Sequence, residues 1–264
     1  EVDIRFLQAL GDGTLTSKVV AFGPGARFIE RGRLAADVRL DGEPELAMVS
    51  LCRGLIEGRE MPAIVSAGEM PGYDSEGLIS DLDALPVPAW ELLPIDRYPF
   101  LSILSSRGCD HGCGWCPYIV VQGQHYRPRT PASIVNELRH LVQRFHPARI
   151  VFRDPVFARD RERLVAICHQ ILSDPALQPG RNLKWECETQ PEHLDVRLVR
   201  LMSLAGCIGI KVGLETTDAD LMTRKGRVAG EEQVAAYLAR AAALARECAG
   251  VGIAYRVFVM AGLP

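Results

Sequence analysis

Phe100-Leu-Ser-Ile-Leu-Ser105, running into Ser106-Arg107-Gly108-Cys109-Asp110-His111-Gly112-Cys113-Gly114-Trp115-Cys116-Pro117, is the stretch that decides how this chain reads. Its first half is a short apolar run bounded by turn residues, the pattern of a buried strand. Its second half sets three cysteines in one glycine-rich loop at the spacing Cys-x3-Cys-x2-Cys. Thiolates select soft metals, iron–sulfur clusters among them. A four-iron cube ordinarily takes four cysteines, so three from one loop leave one iron open to a ligand from outside the protein. The alternative is a structural zinc site with His111 or a distant cysteine as fourth ligand. Zinc ribbons generally bring two Cys-x2-Cys pairs, and no second pair exists here.

Downstream of this loop, strand and helix patterns alternate. Thr130 caps a helix with Pro131 at its first position, and Ile134, Leu138, Leu141 and Phe145 recur at helical spacing. Arg149-Ile-Val-Phe-Arg153, Leu183-Lys-Trp-Glu-Cys187, Ile208-Gly-Ile-Lys-Val-Gly213 and Ile253 to Met260 read as further strands. Between them lie helices at Asp160–Leu172, Asp195–Leu204 with Gly206 as C-cap, and Glu231–Glu247. Repeated strand–helix units predict an α/β fold with parallel strands, either a doubly wound sheet or a (β/α) barrel. Both place chemistry at the C-terminal ends of the strands, where the cysteine loop falls.

The 264 residues carry 30 Lys+Arg against 33 Asp+Glu, a balance that points to neither a nucleic acid nor a membrane surface. No apolar run is long enough to span a bilayer, and no secretory signal opens the chain. Of eight cysteines three sit in the loop; Cys52, Cys168, Cys187, Cys207 and Cys248 are scattered and read as buried small hydrophobes in a reducing compartment. The histidines outside the loop read as ordinary. The chain begins at Glu1 and stops at Gly262-Leu263-Pro264, directly after an apolar strand, so it reads as a piece of a longer protein.

The cysteine loop, with an aromatic before its last Cys and a strand before it, resembles that of the radical S-adenosylmethionine (radical SAM) superfamily. The resemblance implies a partial (β/α)6 barrel of which five strands are present. It implies that Cys109, Cys113 and Cys116 hold a [4Fe-4S] cluster whose open iron binds S-adenosylmethionine, which is cleaved to a 5′-deoxyadenosyl radical. Other segments match by position. Asp154-Pro155-Val156-Phe157 stands where members have Gly-Gly-Glu or an Asp-x-x-Phe variant, so Asp154 and Phe157 are expected at the methionyl end. Glu188, ending the third strand, is expected near the ribose or methionyl group. Gly213-Leu214-Glu215-Thr216 resembles the family's Gly-[Ile/Leu]-Glu-Ser segment, which makes Gly213 and Glu215 ribose or substrate contacts. Gly262-Leu263-Pro264 resembles Gly-Leu-Pro-Gly-Glu beside the adenine, and Trp115 is expected to pack near that ring. No catalytic acid or base is named.

The N-terminal part resembles the end of a Rossmann-like cobalamin-binding domain, through Val19-Val-Ala-Phe-Gly-Pro24 and Asp37-Val-Arg-Leu-Asp-Gly-Glu-Pro-Glu45. Residues 1–60 are therefore read as a remnant of that domain, 61–97 as a proline-rich linker and 98–264 as the radical SAM core. The expected reaction is cobalamin-dependent methyl transfer to an unreactive carbon, with cobalamin binding itself left open. A radical SAM cyclase, rearrangement or oxidation enzyme is the first alternative, and a non-catalytic iron–sulfur or zinc module the second. The resemblance implies a small-molecule or peptide substrate, an electron donor such as flavodoxin or ferredoxin, and a cytoplasmic location.

Overall fold

The computed structural model describes residues 19–23 and 36–262. Pro24, Leu263 and Pro264, which take part in the sequence expectations, lie outside the described residues. The chain divides into two compact units, one running to Leu85 with Val120–Gly123, the other holding Pro86–Ile119 and everything from Gln124.

In the first unit β1 (Val20–Ala21), β2 (Val38–Asp41) and β3 (Ile64–Ser66) form a parallel sheet in that order, and α1 (Glu45–Ile56) connects β2 to β3. Val38, Leu40, Ala47, Leu51 and Ala67 make its core. Pro44, at the N-cap of α1, supplies no side-chain acceptor. Tyr73 does so instead: its hydroxyl accepts from the N–H groups of Leu46 (3.1 Å) and Ala47 (2.9 Å) and donates to the Glu43 carbonyl (2.8 Å). β3 corrects the sequence reading, because it falls inside the stretch taken for linker. It is only three residues long and is flanked by Pro62 and Pro71, so its pattern is submerged in that of the prolines.

In the second unit β4 (Leu101–Ile103) leads to β5 (Ser106–Arg107) and the cysteine loop; the short helix α2 (Tyr118–Gln122) begins there and runs into the residues assigned to the first unit. β6 (Arg127–Pro128) then pairs antiparallel with β5. There follow α3 (Pro131–Phe145), β7 (Ile150–Phe152), α4 (Arg161–Ser173), β8 (Trp185–Thr189), α5 (Val196–Leu204), β9 (Cys207–Glu215), α6 (Ala219–Arg224), α7 (Val234–Ala249) and β10 (Ala254–Val259). The main sheet is wholly parallel, in the order β4-β7-β8-β9-β10. Each strand pairs with its predecessor in the series. That single direction of travel belongs to a barrel wall; a doubly wound sheet reverses its strand order. The wall is not closed among the described residues, since β4 and β10 are its two edges.

The N-cap read at Thr130 is present, and Asp160 and Asp195, read only as the first residues of their helices, cap them as well. Thr130 Oγ1 accepts from the Ser133 N–H, Asp160 Oδ1 from Arg163 N–H and Asp195 Oδ1 from Leu198 N–H. Gly206 has φ +92°, and a Cβ there would lie 2.7 Å from the Leu183 carbonyl, so the position requires glycine. One face of the sheet carries Ile150, Phe152, Trp185, Cys187, Ile210 and Val212, packed against Leu138, Leu164, Leu198 and Leu244 of the helices. Residues alternating with these face the other way, and apart from Val151 those on or flanking β7, β8 and β9 include Arg149, Arg153, Glu186, Glu188, Lys211 and Gly213. No helix among the described residues is long and apolar enough to cross a membrane.

Candidate functional site

A cavity of about 320 Å³ opens at the C-terminal ends of the strands. The cysteine loop supplies Cys109, Cys113, Trp115 and Cys116 to its lining, β8 supplies Glu188, β9 supplies Gly213 and Glu215, and β10 and its end supply Phe258 and Met260. The loop is held in place from two sides. The guanidinium of Arg159, after β7, pairs with Asp110, its Nε at 3.0 Å from Oδ1. On the other side the turn after α6 lies against it: Gly114 N–H donates to the Lys225 carbonyl (2.8 Å), and the Cys113 thiol points to the Gly226 carbonyl (3.6 Å). Gly226 has φ +71°, and a Cβ there would sit 2.9 Å from the Gly112 carbonyl. Only glycine allows that turn to approach so closely.

None of the three loop cysteines is in a disulfide. Burial pushes the Cys109 thiol up, and the neighbouring Cys116 adds to this through charge repulsion. Burial also raises Cys113, against a downward pull from Arg227. Three thiols that would repel one another as thiolates, set in one cavity, form a donor set that a cationic iron–sulfur group neutralises. The residues present therefore fit such a cluster.

Glu215 ends β9 with a left-handed backbone, φ +63°. A non-glycine residue pays for that conformation, and such outliers gather at functional sites. Its Oε1 accepts from Arg227 NH2 at 3.1 Å, with both side chains nearly buried. Burial pushes the Glu215 carboxyl up while Arg227 pulls it down. The guanidinium of Arg227 also lies over the Trp115 ring, 5.4 Å from its centroid. Tyr237 of α7 donates to the Gly213 carbonyl (2.7 Å) and fixes the end of β9. Glu188 faces Arg153 (3.5 Å) and Lys211 (3.7 Å).

Three of the residues expected at the site, Asp154, Phe157 and Gly262, are not among those lining the cavity. Asp154 is fully buried behind the loop and does not line the cavity. It accepts from Ser105 N–H (2.7 Å), from Ser106 Oγ (2.7 Å) and from Ser105 Oγ. Phe157 is also fully buried, packed with Phe152 and Trp185 in a triangle of rings at 4.4, 5.4 and 5.5 Å. Asp154 therefore holds the strand that leads into the cysteine loop, and Phe157 packs the ends of β7 and β8 together. Gly262 is exposed and is not part of the cavity lining. Cys52 is exposed too, against the expectation that the scattered cysteines are buried.

Sequence reading missed Arg227, because its partners Glu215 and Trp115 lie far from it in the chain. The available signal was Lys225-Gly226-Arg227, a basic turn directly after a short helix. It also took His193 as ordinary, whereas a ligand atom of each of His111, Glu192 and His193 lies within 4.8 Å of the others. With its amide oriented to satisfy its neighbours, Gln190 donates to His111 Nε2 (3.1 Å) and Glu192 Oε1 (2.7 Å) and accepts from Arg227 (3.1 Å). That amide knits the group into a hydrogen-bonded cluster.

Residues 103–262 match the sequence profile of the Radical SAM superfamily. An "uncharacterized methyltransferase" of Pyrococcus horikoshii is 26% identical over 218 residues, 79% of this chain and 46% of that protein. The hopanoid C-2 methylase of Rhodopseudomonas palustris is 28% identical over 144 residues, 52% of this chain and 26% of the methylase. Among solved structures, the radical S-adenosylmethionine methyltransferase TsrM of Kitasatospora setae, with tryptophan and a SAM analogue bound, superposes with a TM-score of 0.72 at 20% identity. That match covers 100% of this chain and 52% of TsrM. The cobalamin-dependent radical enzyme OxsB gives 0.68 at 19% identity, over 98% of this chain and 38% of OxsB. The chain thus spans about half the length of these proteins or less.

Proposed function

This chain belongs to the radical SAM superfamily, and we propose that Cys109, Cys113 and Cys116 hold a [4Fe-4S] cluster serving cobalamin-dependent methyl transfer to an unreactive carbon. The observation that carries the reading is the convergence of three free thiols, a half-buried carboxylate and an aromatic ring on one cavity at the strand ends. When bound, the cluster supplies one electron for reductive cleavage of S-adenosylmethionine to a 5′-deoxyadenosyl radical. The chain's own residues bind and orient. Glu215, clamped by Arg227, presents one carboxylate oxygen to a ribose hydroxyl or to substrate. Trp115 offers a ring face to the adenine, and its other role is to seat Arg227. Glu188 reaches the methionyl or ribose end, Gly213 lets ligand approach the backbone, and Phe258 and Met260 add apolar surface to the cavity lining. Asp154 acts on the cofactors through the position of the loop, and Phe157 through the packing of β7 and β8.

The N-terminal unit, in this reading, is the last part of a cobalamin-binding domain, followed by a linker and the radical SAM core. The names of TsrM, OxsB and the hopanoid methylase support methyl transfer or related cobalamin chemistry. The whole protein acts on a small molecule or peptide, takes electrons from a flavodoxin or ferredoxin, and works in the cytoplasm. The test is anaerobic reconstitution of the full chain with iron, sulfide and cobalamin, followed by reductant and S-adenosylmethionine. Mass spectrometry should detect 5′-deoxyadenosine, and methylated product once a substrate is supplied. An oxidised or cyclised product of unchanged carbon count would move the assignment to the alternative radical chemistry. No deoxyadenosine at all would remove the enzymatic reading.

A further inference from the structure

The face of the main sheet turned away from the helices carries an ordered set of charges. Glu188 pairs in register with Lys211, and Lys211 with Arg256, so these three stand side by side on β8, β9 and β10. Arg153, just past β7, reaches Glu188 at 3.5 Å and completes the row. One layer below, Glu186 is approached by three cations: Arg256 at 3.0 Å, Arg149 at 3.3 Å and Lys211 at 3.6 Å. Four cations therefore share two carboxylates, a formal surplus of two positive charges on one surface.

The carboxylates lie deep and the guanidiniums do not. Glu186 and Glu188 are 6% and 17% exposed at their side chains, against 38% for Arg149, 42% for Arg153 and 53% for Arg256. The exposed tips of this surface are thus the guanidiniums, over a floor that holds the two carboxylates and Lys211, itself 15% exposed. Arg149 and Arg153 are also held over the ring of Phe100, at 5.1 and 5.4 Å. That contact limits their freedom and lowers the entropy they would lose on binding. Arg149 Nε, buried, is spent on Glu186, so this cation adds charge to the surface without a free donor at that atom. The row is continuous with the cavity at the strand ends, since Glu188 and Phe258 line that cavity.

We propose that this face is a subsite for an anionic group of the substrate, a carboxylate or a phosphate, held by Lys211 and Arg256 with Arg153 at the side nearer β4. The inference rests on the reading of the cavity as the place of radical chemistry, because only then is the adjoining face the substrate's side. A surplus of positive charge beside a cavity raises the local concentration of anions. Guanidinium forks match the two oxygens of carboxylate or phosphate. Glu186 competes with the ligand for Arg256 and Lys211, a signature that mere structural importance does not share.

The experiment is calorimetric titration of the full, cluster-loaded chain with inorganic pyrophosphate and, separately, with succinate, each with and without saturating S-adenosylmethionine. The nucleoside's own carboxylate site is filled in the first arm, so an anion that still binds does so elsewhere. We expect one saturable site per chain for at least one probe, weakening as salt rises; the probe that binds tells phosphate from carboxylate. Arg256→Gln and Lys211→Gln should each weaken it about tenfold or more, as loss of a charge-assisted hydrogen bond does. Glu186→Gln should tighten it. Arg256 is half exposed, so its replacement leaves the fold intact even if that of Lys211 does not. No saturable site for either probe, or affinity unmoved in Arg256→Gln, or weakened in Glu186→Gln, overturns the proposal. If S-adenosylmethionine itself does not bind, the functional reading fails while the arm without it still decides the anion site.

Discussion

Glu215 concentrates three properties in one residue: a left-handed backbone, a nearly buried carboxylate and an ion pair with Arg227. The strain of φ +63° is offset only if the carboxylate is needed where it points. Glu215→Gln keeps the size and removes the charge. A lost charged hydrogen bond is worth roughly 1.5–3 kcal/mol, so affinity for S-adenosylmethionine should fall about tenfold or more while the cluster still assembles. Equal affinity in the variant, measured by equilibrium binding, would remove Glu215 from the site. Phe157 makes the opposite case. It packs against Phe152 and Trp185 with no exposed surface, so Phe157→Ala should cost about 3–5 kcal/mol of stability. Phe157→Leu should fold and bind S-adenosylmethionine as the parent does. A selective loss of binding in the leucine variant, with unfolding unchanged, would return Phe157 to the cofactor.

At the scale of elements, the caps carry the helices of the barrel wall. Asp195 opens α5, and the N–H of Leu198 (2.8 Å), aided by Arg161 (2.9 Å), holds its carboxyl below the usual range. A depressed pKa in the folded state means the contribution is fully present above the unfolded carboxylate pKa of about 3.9 and is lost as pH falls through the folded value. Asp195→Ala should therefore cost about 0.5–2 kcal/mol near neutral pH, and the deficit should shrink in acid. Denaturant melts across that range check it; a constant deficit contradicts the cap. These helix starts were legible because their signal is local: Thr130 before Pro131, Asp160 and Asp195 before apolar periodicity. β3 and α6 were not, being three and six residues long, too short for periodicity to speak. The role of Asp154 was hidden for another reason. Its partners Ser105 and Ser106 lie about fifty positions earlier, and only the pairing of β4 with β7 brings them together. An acid at a strand end reads as site-facing until such a partner is visible.

Across the molecule, cysteine chemistry is sorted by place. Cys168, Cys187, Cys207 and Cys248 are buried in or beside the apolar core, and burial pushes Cys168 and Cys248 up to about 12, which leaves them inert as thiols. Cys109, Cys113 and Cys116 alone among the buried or half-buried cysteines line the cavity. The order of the main sheet explains why the loop was found from sequence: every strand runs one way, so the loop leaving β4 shares a mouth with the loop leaving β9. The central claim is that these three thiolates hold a cluster with one iron open to S-adenosylmethionine. It is tested most directly by electron paramagnetic resonance of the reduced, anaerobically reconstituted full chain, recorded before and after adding S-adenosylmethionine. The account predicts a [4Fe-4S] signal whose shape changes on addition, is absent from each of Cys109→Ala, Cys113→Ala and Cys116→Ala, and persists in Cys168→Ala. A signal that survives loss of a loop cysteine, or one indifferent to S-adenosylmethionine, would contradict it.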